Sequence, residues 1–320
     1  MVPGEREQAR KGPAVLPALR ALVVAAELGA HHWRSADGRR RSHARAILEF
    51  PADRHHGQGR ALSLADRRHT GVDMTTAHTT QHSSLKSRSS SLDLIKWLAM
   101  LTMVIDHLRL VWPEMSNLFI LGRLSFPLFC VAIAANVARS KPGELLTAAN
   151  GRYLALMLVF AAISEVPYRY ISTSGSFNVL VTLALGLVIA WGWQHRTLLS
   201  SAMALMAAAI AYVLDDPLMY GLYGALVPAA VLLAIKRPGA LWLLPAVLCL
   251  LSNTRSSIVT RAMDLEIHSL LALSTAFAAP LIGLWLLHQK FTFNVWPVRQ
   301  WGYWFYPGHL AALQALRFLI

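Results

Sequence analysis

The stretch Ser91–Arg109, SLDLIKWLAMLTMVIDHLR, constrains this chain more than any other. It is long and apolar enough to enter a bilayer, yet it carries Asp93, Lys96, Asp106, His107 and Arg109. Ionisable side chains in hydrocarbon or at its edge are costly and are usually kept for function. Two later segments share the trait: LGRLSFPLF places Arg123 in a second apolar run, and YWFYPGHLAAL places His309 in the last one.

Composition agrees. Only 15% of the 320 residues are charged and 55% are hydrophobic, whereas soluble domains run near 25% charged. The chain therefore reads as an all-α, polytopic transmembrane helix bundle. A net charge of +13 suggests nucleic acid at first sight. Its distribution excludes that partner, because in the apolar part the basic residues sit in short loops between spans and no nucleic-acid-binding motif accompanies them. Cys130 and Cys249 both fall in apolar spans, where small buried residues are expected rather than a disulfide or a metal site.

Residues 1–91 are polar, rich in Arg, His and Ser, and lack periodicity, so they read as a disordered basic leader. ALVVAAELGA resembles a signal-peptide core, but Glu27 interrupts it and Arg39–Arg41 follow it. Met74 opens a short polar segment suited to a cytoplasmic leader, which makes a translation start near Met74 the expectation. The alternative is a basic tail lying against anionic lipid.

Residues 92–320 hold recurring apolar runs near the length of about 20 residues that a bilayer core requires. About nine spans are expected, near 94–112, 118–138, 153–171, 177–194, 197–214, 218–235, 240–252, 269–288 and 302–320. The seventh is short. Loops carrying Lys86, Arg88, Arg139, Lys141, Arg152, Arg196, Lys236, Arg237, Lys290 and Arg299 alternate with loops that are acidic or neutral, save one with Arg255 and Arg261. That bias places the N-terminus in the cytoplasm and, with nine spans, the C-terminus outside.

Lys96 and His107 are eleven residues apart, about three helical turns, so they point the same way. Asp93 lies one turn before Lys96 on the same stripe. Asp106 lies about 100° around the helix, where it faces a neighbour rather than completing a pair with His107. The bland reading makes Asp93 and Lys96 interfacial anchors and His107 a core histidine. An imidazole beside a carboxylate inside an apolar helix favours function. Pro127 should kink the second span and free a carbonyl near Arg123, whose guanidinium could pair with Asp106 or Glu114, or clamp a phosphate or carboxylate. Glu165 and Arg169 form a structural i,i+4 pair. Asn178 is a natural helix cap, and Tyr220 and Tyr223 beside Gly221 and Gly224 suit close packing or a cavity wall. Trp191, Trp193, Trp242, Trp301 and Trp304 read as an interfacial belt.

The segments LDLIKWLAMLTMVIDHLR, GRLSFPLF, FNVLVTLALG, MYGLYGAL and FYPGHLAAL, in this order over residues 92–320, resemble the TraX family of inner-membrane proteins associated with N-terminal acetylation of conjugative pilin. The likeness extends to the wider membrane acyltransferase superfamily that includes the type-3 acyltransferases. There a basic residue, ten positions and a histidine mark the first helix; here Lys96 stands where arginine is usual. The resemblance implies an acetyltransferase of the inner membrane that uses acetyl-CoA, with an amine or hydroxyl acceptor such as a pilin N-terminus or a glycan. It implies His107 as general base, with Asp106 orienting it or tuning its pKa. Lys96 and Arg123 would hold the negative donor or its oxyanion. His309 is a second candidate for acid, base or donor binding, Asn178, Tyr220 and Tyr306 are further candidates for donor or substrate binding, and no metal is expected. The competing readings are a proton-coupled transporter relaying through Asp106, His107 and Glu165, and a non-catalytic pilus-assembly factor.

The charge alternation is testable with reporter fusions. Fusions after Lys141 and after Lys236 should both report cytoplasm, and one after Ile320 should report the outside. An outside reading at either internal site would reverse the orientation.

Overall fold

The computed structural model describes residues 74–254 and 257–319, with side chains from residue 90 onward. Among the described residues every regular element is helical, as the apolar runs require. In hydrocarbon each backbone N–H and C=O must find its partner within its own helix, unless the segment closes into a barrel. The reading of residues 1–73 as a disordered leader lies outside the described residues. The first helix, α1, runs Met74–Leu108, so residues 74–91, read as leader, form its opening turns.

A 3₁₀ turn at Pro113–Leu118 leads into the short α2, Phe119–Gly122, and then α3, Ser125–Ala138. The chain tightens at the α2–α3 junction, where the Arg123 and Leu124 amides bond to the carbonyls three residues back, Ile120 and Leu121. Pro127 has no N–H to offer the Arg123 carbonyl, which is the interruption expected from the sequence.

The next helices are α4, Ala148–Ile171; α5, Val179–His195; α6, Leu198–Val213; and α7, Gly221–Lys236. A 3₁₀ turn at Ala240–Trp242 precedes α8, Leu243–Leu251. The chain ends with α9, Ser257–Met263; α10, Ile267–His288; and α11, Trp301–Leu319. Pro113–Ala138, Ala148–Ile171 and Ile267–His288 are long and apolar enough to cross a membrane, and four shorter apolar helices accompany them. With α1 and α11, these segments are compatible with about nine spans.

Local sequence signals set several starts. The side chains of Thr147, Asn178 and Thr197 each accept a backbone N–H at the head of α4, α5 and α6, and Ser200 completes a capping box with Thr197.

Helix α3 sits at the centre. It packs against α1, α5, α7 and α10, and eleven of its residues, including Phe126, Leu128, Cys130, Val131 and Ile133, are buried. A helix that is apolar on every face finds its place inside a bundle. Both cysteines are free thiols in this core. One member of the expected aromatic belt is elsewhere: Trp191 is only 3% exposed, packed in the central cluster, whereas Trp193, Trp301 and Trp304 are exposed. Trp191 lies near the end of its span, but it faces the bundle, and position along a helix does not say which way a side chain points.

Small residues allow the closest approaches. A Cβ on Gly186 of α5 would lie 2.7 Å from the Pro228 ring and 2.9 Å from the Ala225 carbonyl of α7. Neither atom belongs to a flexible side chain. Gly186→Ala should therefore lower stability, by roughly 1–3 kcal/mol as overpacking does. Gly151→Ala, at a helical site with open space around it, should be neutral or slightly stabilising. Thermal unfolding of the two variants in one detergent gives the comparison.

Candidate functional site

Two polar constellations are built on α1. The first lies around its middle. The Lys96 ammonium donates to Asp93 Oδ1 at 3.2 Å and to the Val298 carbonyl at 3.1 Å, and the Val298 N–H donates to the same Asp93 oxygen at 3.2 Å. Beside them Trp97 Nε1 donates to the Trp296 carbonyl at 3.0 Å. These bonds tie the non-helical strap between α10 and α11, residues 289–300, to α1 across some two hundred residues of sequence. Irregular backbone needs such partners, because it cannot satisfy itself as a helix does.

The second constellation lies three turns along. His107 Nδ1 and His309 Nε2 are 2.8 Å apart, and the two rings lie within 3° of parallel with centroids 5.0 Å apart. His309 Nδ1 lies 2.9 Å from the Phe305 carbonyl, one turn back on α11. The rings of Phe305 and Tyr306 flank His309, with centroids at 5.4 and 5.6 Å. His309 of the last helix and His107 of the first therefore form one unit.

Asp106 takes a different partner. Its Oδ1 accepts from Arg109 Nε at 3.0 Å, and its side chain lies so close against Gly122 that an added Cβ would run into the carboxyl group. The hydrogen-bond partner of His107 is thus His309, while Asp106, 100° around α1, turns to Arg109. Arg123 stands over the Phe119 ring at 5.9 Å, with its Nε buried and without a hydrogen bond.

Asn178 is fully buried. Its Nδ2 donates to Glu165 Oε2 at 2.6 Å and to the Ala161 carbonyl at 2.8 Å, while Arg169 Nε donates to Glu165 Oε1 at 2.6 Å. Those bonds lock α5 to α4 and give Asn178 a structural role. Tyr220 adopts φ 69°, a left-handed backbone that a large side chain rarely takes. It heads α7, and its ring stacks on Phe126 with centroids 4.1 Å apart.

A cavity of about 1210 Å³ opens between α1, α3, α4, α5, α11 and the strap. Lys96, Arg139, Arg152 and Arg299 line one end. Met100 and Met103 continue along the α1 stripe, and Phe305 and Tyr306 line the wall on α11. His107 is one turn beyond Met103 and His309 three residues beyond Tyr306, so the pair follows the lining residues of α1 and α11 on the side away from Lys96 without itself lining the cavity. Arg123 is not part of this wall. Arg139, Arg152 and Arg299, which read as ordinary loop charges in the sequence, do line it.

The fold and this site define a polytopic membrane protein with a largely apolar cavity in its helix bundle, lined in part by Lys96, Arg139, Arg152 and Arg299. The chain matches the family described as TraX protein over residues 91–317 and belongs to that family. No curated protein and no solved structure gave a match.

The strap gives a direct test. Asp93→Ala removes the acceptor of both the Val298 amide and the Lys96 ammonium. Residues 289–300 should then exchange amide hydrogen faster in mass-spectrometric mapping, while α3 and α7 keep their protection. Unchanged exchange in the strap would show that Asp93 does not hold it.

Proposed function

We propose that this protein moves an acetyl group from acetyl-CoA to an amine or hydroxyl on an acceptor presented at the membrane, with His107 as general base. The observation that carries the reading is the cavity, lined by Lys96, Arg139, Arg152 and Arg299 and by the apolar Met100 and Met103, with the histidine pair one turn along α1 from Met103. An acyl-CoA is built to the same plan, with a phosphate-rich nucleotide at one end, a long neutral arm, and a thioester at the tip. The cavity volume exceeds the roughly 300–1,000 Å³ of ordinary small-molecule pockets, as a ligand of that length demands.

Arg139, Arg152, Arg299 and Lys96 would meet the phosphates, and arginine does so with a planar fork of donors. They lie on the side that the loop charges assign to the cytoplasm. At the far end His107 takes the proton of the attacking amine or hydroxyl as its N or O bonds to the thioester carbonyl carbon. The C–S bond then breaks, the electron pair leaves with sulfur, and the proton is returned to give the free thiol. Membership of the TraX family favours a pilin N-terminus as acceptor, and a glycan hydroxyl is the other candidate.

Purified protein in lipid nanodiscs, given labelled acetyl-CoA and either a pilin-like peptide or a glycan, tests the reading. His107→Ala should lower transfer by on the order of 10²–10⁴ while the protein stays folded and inserted. Arg152→Ala and Arg299→Ala should chiefly raise the KM for acetyl-CoA. Near-normal transfer by His107→Ala would make the histidine a core residue and sink the mechanism.

A further inference from the structure

The contacts of the histidine pair determine more than proximity. A backbone carbonyl can only accept, so the 2.9 Å contact between His309 Nδ1 and the Phe305 oxygen requires the proton on Nδ1. A neutral imidazole carries one ring proton, which leaves His309 Nε2 with its lone pair. That lone pair faces His107 Nδ1 at 2.8 Å, and the near-parallel rings, 3° apart, let the in-plane N–H and the in-plane lone pair meet head on. His107 Nδ1 must therefore be the protonated nitrogen. Its second nitrogen, Nε2, is then the unprotonated one, and it makes no hydrogen bond to the rest of the chain among the described residues.

We propose that His309 is a positioning residue that fixes the tautomer of His107, so that His107 Nε2 is the free base of the site, with the backbone of α11 as the anchor of the relay. This rests on the reading of His107 as general base, and it replaces the carboxylate that commonly orients a catalytic imidazole with a neutral ring. A neutral orienter suits this place. A carboxylate between α1 and α11 would add an uncompensated charge to hydrocarbon, whereas His309 is satisfied by a main-chain oxygen one turn away. When His107 Nε2 takes the acceptor's proton, His107 Nδ1–H still donates to His309, and the new positive charge can be shared across the 2.8 Å bond. Two imidazolium rings at that distance would repel, so the pair holds one extra proton at a time and hands it on before the next turnover.

The test reads the tautomer directly. Full-length protein with ring-¹⁵N histidine is placed in nanodiscs, and the His107 resonances are identified by their loss in His107→Gln. The expected wild-type pattern is a protonated Nδ1 and an unprotonated Nε2. His309→Ala should release that preference and lower kcat by on the order of 10²–10⁴, with the KM for acetyl-CoA unchanged. His309→Gln, whose amide oxygen accepts the same hydrogen bond, should keep the tautomer and most of the transfer. Wild-type His107 protonated at Nε2, or full kcat in His309→Ala, would overturn the proposal. If no acceptor is acetylated by the wild-type protein, the proposed function fails, and the spectrum still decides the tautomer.

Discussion

Helix α3 is the element on which the rest of the bundle depends. In a bilayer each helix is self-sufficient in backbone hydrogen bonds, so helices are arranged by side-chain packing and a few polar contacts. A helix with polar or bulky faces would be held at the periphery. α3 instead presents Phe126, Val131, Ile133 and four alanines to its surroundings, and α1, α5, α7 and α10 close around it. Gly283 of α10 lies so near Val131 that an added Cβ would come within 2.8 Å of it. Once α3 is enclosed, α1 and α10 are fixed beside it, and the site on α1 has a rigid back wall.

The polar residues then do what packing in lipid does poorly, which is to specify register. Asp93, Lys96 and Trp97 bind the strap before α11, and Glu165 with Asn178 binds α4 to α5. Each pairing joins elements that are otherwise apolar, and each leaves an unsatisfied group in hydrocarbon if the helices slide. The strap matters most for the site. It sets where α11 begins and hence how far along α11 His309 lies when it reaches His107. Lys96 thus has two duties in one position, as a tie for the strap and as part of the cationic wall of the cavity.

Much of the site is legible in the amino-acid sequence. Lys96, Met100, Met103 and His107 share one face because a helix repeats every 3.6 residues, and that face is the one that lines the cavity and ends at the histidine pair. Arg139, Arg152 and Arg299 are indistinguishable in sequence from the other loop cations, since the positive-inside bias places basic residues at every such position whether or not a ligand uses them. Adjacency in sequence links Asp106 to His107, yet neighbours on a helix point 100° apart, and the Asp106 carboxylate goes to Arg109. Trp191 shows the same limit, since its place near a span end is legible and the direction it faces is not.

By itself, the sequence determined the helical class, the approximate place of the spans, the cap at Asn178, and the stripe on the first helix. All of these depend on residues within a few turns of one another and on the cost of polar groups in hydrocarbon. Only the tertiary structure decided that His107 meets His309, that Asp93 and Lys96 meet Val298, and which loop arginines face one cavity. The histidine and strap contacts join residues about two hundred positions apart, and no local period carries information across that distance. It is set by how α1, α4 and α11 pack around the cavity beside the buried α3.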